Sequence, residues 1–189
     1  MESPHQLNAR ALRTRSRLID AALELFERDG YEQTPATAIA AAAGVTEMTF
    51  FRHFTTKDQL LLDDPYDPLL ASSVRDQPPG PPLRRTIHGI RAAWRTLPEP
   101  ADDFTKRRIR IVAATPGLRA AVARNNASTE TALSDALIAD GSDPLQARVA
   151  VAAVIAAMSV ALIEWSQQEK ATLGETIDTA LDVLEANHG

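Results

Sequence analysis

The chain has 189 residues, of which 44% are hydrophobic and 24% charged, and a formal net charge of −5. That length suits one compact domain or two small ones sharing a core, and the absence of cysteine excludes disulfides, thiolate metal sites and cysteine nucleophiles. The acidic balance argues against a general polyanion binder. Its distribution is uneven, however, because Arg10, Arg13, Arg15 and Arg17 cluster where only Glu2 opposes them. Ala and Leu dominate the apolar set and strand-type runs are scarce, which predicts an all-α fold. The N-terminus lacks the apolar stretch of a signal peptide, so a cytoplasmic protein is expected. The longest apolar run, residues 149–163, is alanine-rich and short for a span, so it predicts a buried helix and no membrane partner.

In chain order, residues 1–12 read as a polar arm. A first helix is predicted over 13–28, with Leu18, Ile19, Ala22, Leu25 and Phe26 forming an apolar stripe. Asp29-Gly30 stops it. A short helix follows over 36–43, with Pro35 near its start and Gly44 after it. Thr46 is a good N-cap for a third helix running to about Phe54. Thr56-x-x-Gln59 reads as a capping box for a fourth helix starting at Lys57. Pro65 and Pro68 kink that helix, or end it before a restart over 67–74. Residues 77–82, rich in proline, read as the clearest linker in the chain. Helices are then expected over 83–97, 102–114, 118–140, 145–168 and 172–186, about nine in all. The expected domains are 1–60 and 61–189.

The second and third helices meet the requirements of a helix-turn-helix. The first helix of such a motif must present a small residue to the second, the turn needs glycine, an apolar residue must follow, and the second helix must start on a cap. Ala40, Gly44, Val45 and Thr46 supply these in order. Ile39, Val45, Phe50 and Phe54 bury one side, leaving Glu47, Met48, Thr49, Phe51, Arg52 and His53 outside.

The run from Ile39 to Leu60, IAAAAGVTEMTFFRHFTTKDQL, resembles the signature of the tetracycline-repressor (TetR) family, and the segment Ile19 to Phe26 with Gly30-Tyr31 resembles that family's first helix. The resemblance implies an N-terminal three-helix helix-turn-helix DNA-binding domain and a C-terminal helical ligand-binding and dimerisation domain. It implies a homodimeric repressor, released from double-stranded operator DNA by a small-molecule inducer. Carried over by position, it places Thr37 at the groove edge and Glu47, Met48 and Thr49 among the base readers, with Thr46 and Arg52 beside them. It gives His53 and Lys57 phosphate contacts. Arg13, Arg15 and Arg17 form either an arm on DNA or a solvated face. Two departures stand out. Phe51 replaces the family's usual tyrosine and so lacks its hydroxyl, and Pro35 interrupts the usual Thr-Val run.

In the C-terminal part, the helix over 145–168 is apolar nearly all round and must be buried on more than one side. Together with the last helix it suits a bundle shared by two copies, with Val151, Val154, Ile155, Leu162, Ile177, Leu181 and Leu184 as the expected dimer residues; burial within one subunit is the alternative. Trp94, Phe104, Arg108, Ile111, Met158 and Trp165 are the expected ligand-binding residues. The segment from Arg108 to Leu118 resembles a subgroup of regulators that respond to long acyl-CoA thioesters. That implies a lipid-like anionic inducer with Arg108 or Arg110 near its head group. No pair of histidines at metal spacing, phosphate loop or nucleophile elbow is readable, so no enzyme, metal or cofactor is expected. The rival reading is a helical small-molecule-binding module without operator binding.

Overall fold

The computed structural model describes residues 4–62, 67–97 and 103–186, and these form helices and connecting turns, with no strand among the described residues. The chain divides into two compact units, residues 1–63 and 64–189.

The first unit holds α1 (Pro4–Asp29), α2 (Ala36–Ala42), α3 (Glu47–His53) and α4 (Gln59–Leu62). Leu18, Ala22, Leu25 and Phe26 of α1 are buried, as are Ile39 and Ala40 of α2, Phe50 of α3, Phe54 and Leu60, and α2 packs on both α1 and α3. Gly30, with φ of 86°, takes the left-handed conformation that ends α1. The helix begins nine residues before the predicted start at Arg13, so the expected arm is helical from Pro4. The prediction followed the apolar stripe, which starts at Leu18. The preceding Gln, Leu, Ala and Arg residues are strong helix formers, which carry a helix upstream of any apolar stripe. α4 also departs from expectation. It starts at Gln59 instead of Lys57, and the Gln59 side chain accepts from the backbone N–H of Thr55 at 2.6 Å, not from Thr56.

The second unit holds α5 (Asp67–Arg75), α6 (Pro82–Thr96), α7 (Phe104–Ala114), α8 (Pro116–Ala139), α9 (Pro144–Gln167) and α10 (Leu173–Ala186). The proline-rich stretch expected to be a linker is instead the loop between α5 and α6, which pack on each other within this unit. Proline ends α5 and then starts α6, where Pro82 occupies the first helical position and its missing N–H leaves no bond unmade. A Cβ on Gly89 of α6 would lie 2.5 Å from the Val74 Cα, so the two backbones approach too closely for any other residue.

α9 is the central element and packs against α6, α7, α8 and α10. Asp143 caps it by accepting from the Gln146 N–H at 2.9 Å. By length and composition alone α9 could cross a membrane, but its inner side, with Ala147, Val151, Val154, Met158 and Trp165, is buried within the unit's core. α10 opens on a capping box absent from the sequence reading: the Thr172 N–H donates to Glu175 and the Glu175 N–H to the Thr172 hydroxyl, each at 3.2 Å. An ionic seam joins α6 to α10. Arg91 pairs with Asp178 at 3.1 Å, with Glu185 at 2.6 Å and with Asp182.

Candidate nucleic-acid interface

The turn between α2 and α3 is fixed by its backbone. Gly44 has φ of 64°, its N–H donates to the Ala41 carbonyl at 3.0 Å, and the Val45 N–H donates to the Ala40 carbonyl at 2.9 Å. This pair of bonds is a Schellman ending, which satisfies carbonyls that the end of α2 would otherwise leave open. The next residue but one restarts a helix. Thr46 is extended, and its hydroxyl accepts from the Thr49 N–H at 3.2 Å. Stop and start are thus separated by Val45 alone, and α3 leaves the turn in one defined direction.

α3 divides into an inner and an outer side. Phe50 and the following Phe54 are buried, with ring centroids 5.9 Å apart. On the outer side Glu47 is exposed, Met48 is 82% exposed and Phe51 is 47% exposed. Large apolar side chains held this far into solvent, on a helix whose other side is anchored, mark a surface built to meet something. The Phe51 ring meets Phe50 edge-on, with centroids 5.2 Å apart, which fixes its direction. Thr37, near the start of α2, is exposed as well.

Thr46, Thr49 and Arg52 line a different sector. With Arg10, Arg13, Thr14 and Arg17 of α1, and with Gly44 and Val45, they enclose a groove of about 710 Å³. A second groove of about 460 Å³ is lined by Arg10, Ala11, Thr14, Arg52 and His53. The cations of the α1 extension therefore stand beside the first turn of α3. Arg10 was not among the expected contact residues. Its signal was present in the arginine cluster, but only the helical continuation of α1 turns it toward the groove.

The basic residues have separate tasks. Arg15 lies 4.3 Å from the Phe54 ring centroid and donates to the His53 carbonyl at 3.4 Å, so it fastens α1 to the end of α3. Arg17 donates to the Ala43 carbonyl at the end of α2. Arg13 and Arg52 are exposed. His53 is half-buried, and burial, followed by the charges of Arg52 and Arg15, holds its imidazole below the ordinary histidine range, favouring the neutral form. The ammonium of Lys57 is engaged by the Tyr31 and Thr34 carbonyls at 2.7 and 3.2 Å.

In the second unit, the expected ligand-binding residues divide between two places. Met158 and Trp165 of α9 are buried in the core, and Trp94 of α6 packs against it. Phe104, Arg108 and Ile111 lie on α7, which packs on α9; Ile111 is buried, and the other two are half-buried. Trp165 donates to the Ala171 carbonyl at 3.1 Å, and Lys106 of α7 lies 5.0 Å from its ring.

The expected dimer residues lie largely inside the unit, as the alternative of burial within one subunit has it. Val151, Val154, Ile155, Ile177 and Leu181 fill the interior of this one chain, and Leu162 and Leu184 pack against the same core. The outward apolar residues are others: Leu145, Val149 and Val160 of α9 and Val183 of α10, each between 59% and 71% exposed. A helix apolar all round has no preferred face in sequence, so periodicity does not separate its inward residues from its outward ones.

Comparison with known proteins gives this geometry its family. Residues 18–63 match the model for bacterial regulatory proteins of the tetR family, and residues 81–189 match the MftR C-terminal domain. The HTH-type transcriptional regulator TcmR of Streptomyces glaucescens is 32% identical over 187 residues, covering 91% of this chain and 83% of that protein. Among solved structures, a transcriptional regulator from Rhodococcus sp. Rha1 is similar at 20% identity and a TM-score of 0.49, over 89% of this chain and 94% of the other. Salmonella enterica GusR is similar at 20% identity and a TM-score of 0.48, over 92% and 95%. The chain belongs to the TetR family of bacterial regulatory proteins. It is a DNA-binding transcription regulator with a helix-turn-helix head and a ligand-binding C-terminal domain.

Proposed function

We propose that the protein is a homodimeric cytoplasmic repressor that binds a roughly palindromic operator and leaves it when a small molecule occupies the second unit. The observation that carries this reading is the outer side of α3. Glu47, Met48 and Phe51 stand in solvent on a helix capped at Thr46, next to a groove carrying Arg10, Arg13, Arg17 and Arg52. In the major groove, Glu47 accepts from a cytosine amino group, while Met48 and the Thr49 methyl meet thymine methyls. Phe51, without a hydroxyl, packs on sugars or methyls. Arg13, Arg52 and the neutral His53 take phosphates, which set register without reading sequence.

Two heads are needed for a palindrome. The apolar stripe of Leu145, Val149 and Val160 on α9, together with the exposed Val183 of α10, is the surface we assign to the second copy. The inducer is proposed to be lipid-like and anionic, with apolar walls from Trp94, Phe104, Ile111, Met158 and Trp165 and a charge partner in Arg108 or Arg110. If inducer weakens operator binding by some factor, operator must weaken inducer binding by the same factor.

Selection from a pool of random duplexes tests this reading. The expected product is an inverted repeat whose half-sites lie one helical turn, ~34 Å, apart. Enrichment of no sequence at low salt would overturn it and favour a small-molecule-binding module. A panel of acyl-CoAs and of aromatic or cationic drugs, scored by thermal shift and by release of the selected duplex, tests the inducer. Stabilisation by the drugs alone would discard the lipid-like class.

A further inference from the structure

Lys57 follows the end of α3, at a position where a phosphate contact is expected, but its ammonium group is directed inward. Nζ donates to the carbonyls of Tyr31 and Thr34 at 2.7 and 3.2 Å, and it lies 4.0 Å from the centroid of the Tyr31 ring. The next residue, Asp58, accepts from the hydroxyl of the same tyrosine. Burial and that acceptor push the Tyr31 phenol up, so the hydroxyl stays protonated and donating. The tyrosine is also wedged against Phe26, with centroids 5.0 Å apart. Two consecutive residues therefore grip one buried side chain at its backbone, its ring and its hydroxyl.

The gripped segment sets the entry to α2. The Thr34 hydroxyl donates to the Gly30 carbonyl at 2.8 Å and closes the turn after α1. Pro35 follows in an extended conformation, α2 begins at Ala36, and Thr37 is exposed one residue later. An ammonium has three protons and no acceptor. Here two protons point at carbonyls, and the charge is further balanced by the ring face. A phosphate anchor needs its charge turned to solvent.

We infer that Lys57 is a positioning residue: it fixes the turn between α1 and α2, and with it the presentation of Thr37 and α2 to DNA, without itself taking a phosphate. This rests on the operator-binding reading. A phosphate anchor and a positioning residue both weaken DNA binding when removed, but they differ in salt dependence. Each neutralised phosphate contributes ~0.9 to the slope of log affinity against log salt, whereas a positioning residue contributes none.

The test is Lys57→Met, measured by fluorescence anisotropy on the selected duplex across a salt series. We expect affinity to fall by one constant factor, on the order of tenfold, with the wild-type slope retained and thermal unfolding at lower temperature. A slope reduced by about one with unchanged melting would overturn the inference. Should the variant fail to fold, the wild-type protein decides by limited acylation of lysines, mapped by mass spectrometry with and without duplex. Lys57 is expected to be protected in both states, with the exposed Lys170 as the reactive reference. A Lys57 that reacts in the free protein and is protected only by DNA would overturn the inference. Failure of the wild type to bind any duplex would instead remove the operator reading, and this inference with it.

Discussion

Residues 1–63 combine a small core of leucines, alanines and four aromatic rings with polar locks on short segments, and residues 64–189 are organised by a broader, mainly aliphatic core. In the first unit, the Schellman ending at Gly44, the Thr46 cap, the Arg15 and Arg17 bonds to carbonyls and the Lys57–Tyr31–Asp58 cluster each fix one short segment. In the second, α9 is held by side chains along several neighbours, and its principal ionic seam lies on the outside between α6 and α10. The difference fits the two tasks. Reading bases requires a few side chains held within fractions of an ångström, which directional bonds supply. Accommodating a ligand and a second copy requires apolar surface, which a directionless aliphatic core supplies.

The comparison breaks most severely at the core of the first unit. Phe50→Ala, at a fully buried ring, should cost about 3–5 kcal/mol and abolish DNA binding; denaturant unfolding and anisotropy check both. In the second unit the matching lesion is steric. Gly89→Ala drives a Cβ into the Val74 backbone and should cost ~1–3 kcal/mol, read as a lowered melting temperature. The double change Val149→Glu and Val160→Glu alters an outward stripe, so it should leave helical content unchanged and convert the proposed dimer to monomer in sedimentation velocity. Val151→Glu, placed in the core, should instead unfold the second unit. Thr46→Ala removes one cap bond and should cost ~1 kcal/mol.

The smallest effect belongs to the seam. Arg91→Met should cost no more than ~1 kcal/mol, because the partner carboxylates are largely solvated. Its signature is pH dependence. Glu185 is held below its ordinary value of 4.5, chiefly by the hydrogen bond from Arg91. A depressed carboxylate contributes stability that is complete above the ordinary value and is lost as pH falls through the depressed one. Melting temperatures should therefore decline below about pH 4.5 in the wild type, and that decline should be shallower in Arg91→Met.

The two units also differ in how far they can be read from residues alone. Gly44, Thr46 and the Phe50/Phe54 spacing made the turn, the cap and the exposure of Glu47, Met48, Phe51 and Arg52 legible, whereas Thr49 and His53, expected outside, and Val45, expected inside, are half-buried. The inward turn of Lys57 was not. Its partners are backbone carbonyls of Tyr31 and Thr34, more than twenty residues away, and carbonyls leave no mark in a sequence. The start of α1 at Pro4 was not legible because the residues before Leu18 carry no apolar stripe in the sequence. In α9, valines and alanines occupy every face, so helix existence and burial were legible while the outward stripe was not. The prolines of residues 77–82 signalled a break, but whether a break joins domains or two packed helices depends on the contacts beyond it.

The central claim is that the outer side of α3 reads the operator. Its most direct test is a set of duplexes carrying single base substitutions across one selected half-site, bound by the wild type and by Glu47→Ala, Met48→Ala and Phe51→Ala. The account predicts that each variant loses the wild type's discrimination at its own one or two base positions, by ~1–3 kcal/mol, while keeping the wild-type salt slope. Base preferences that survive unchanged in all three variants would contradict it.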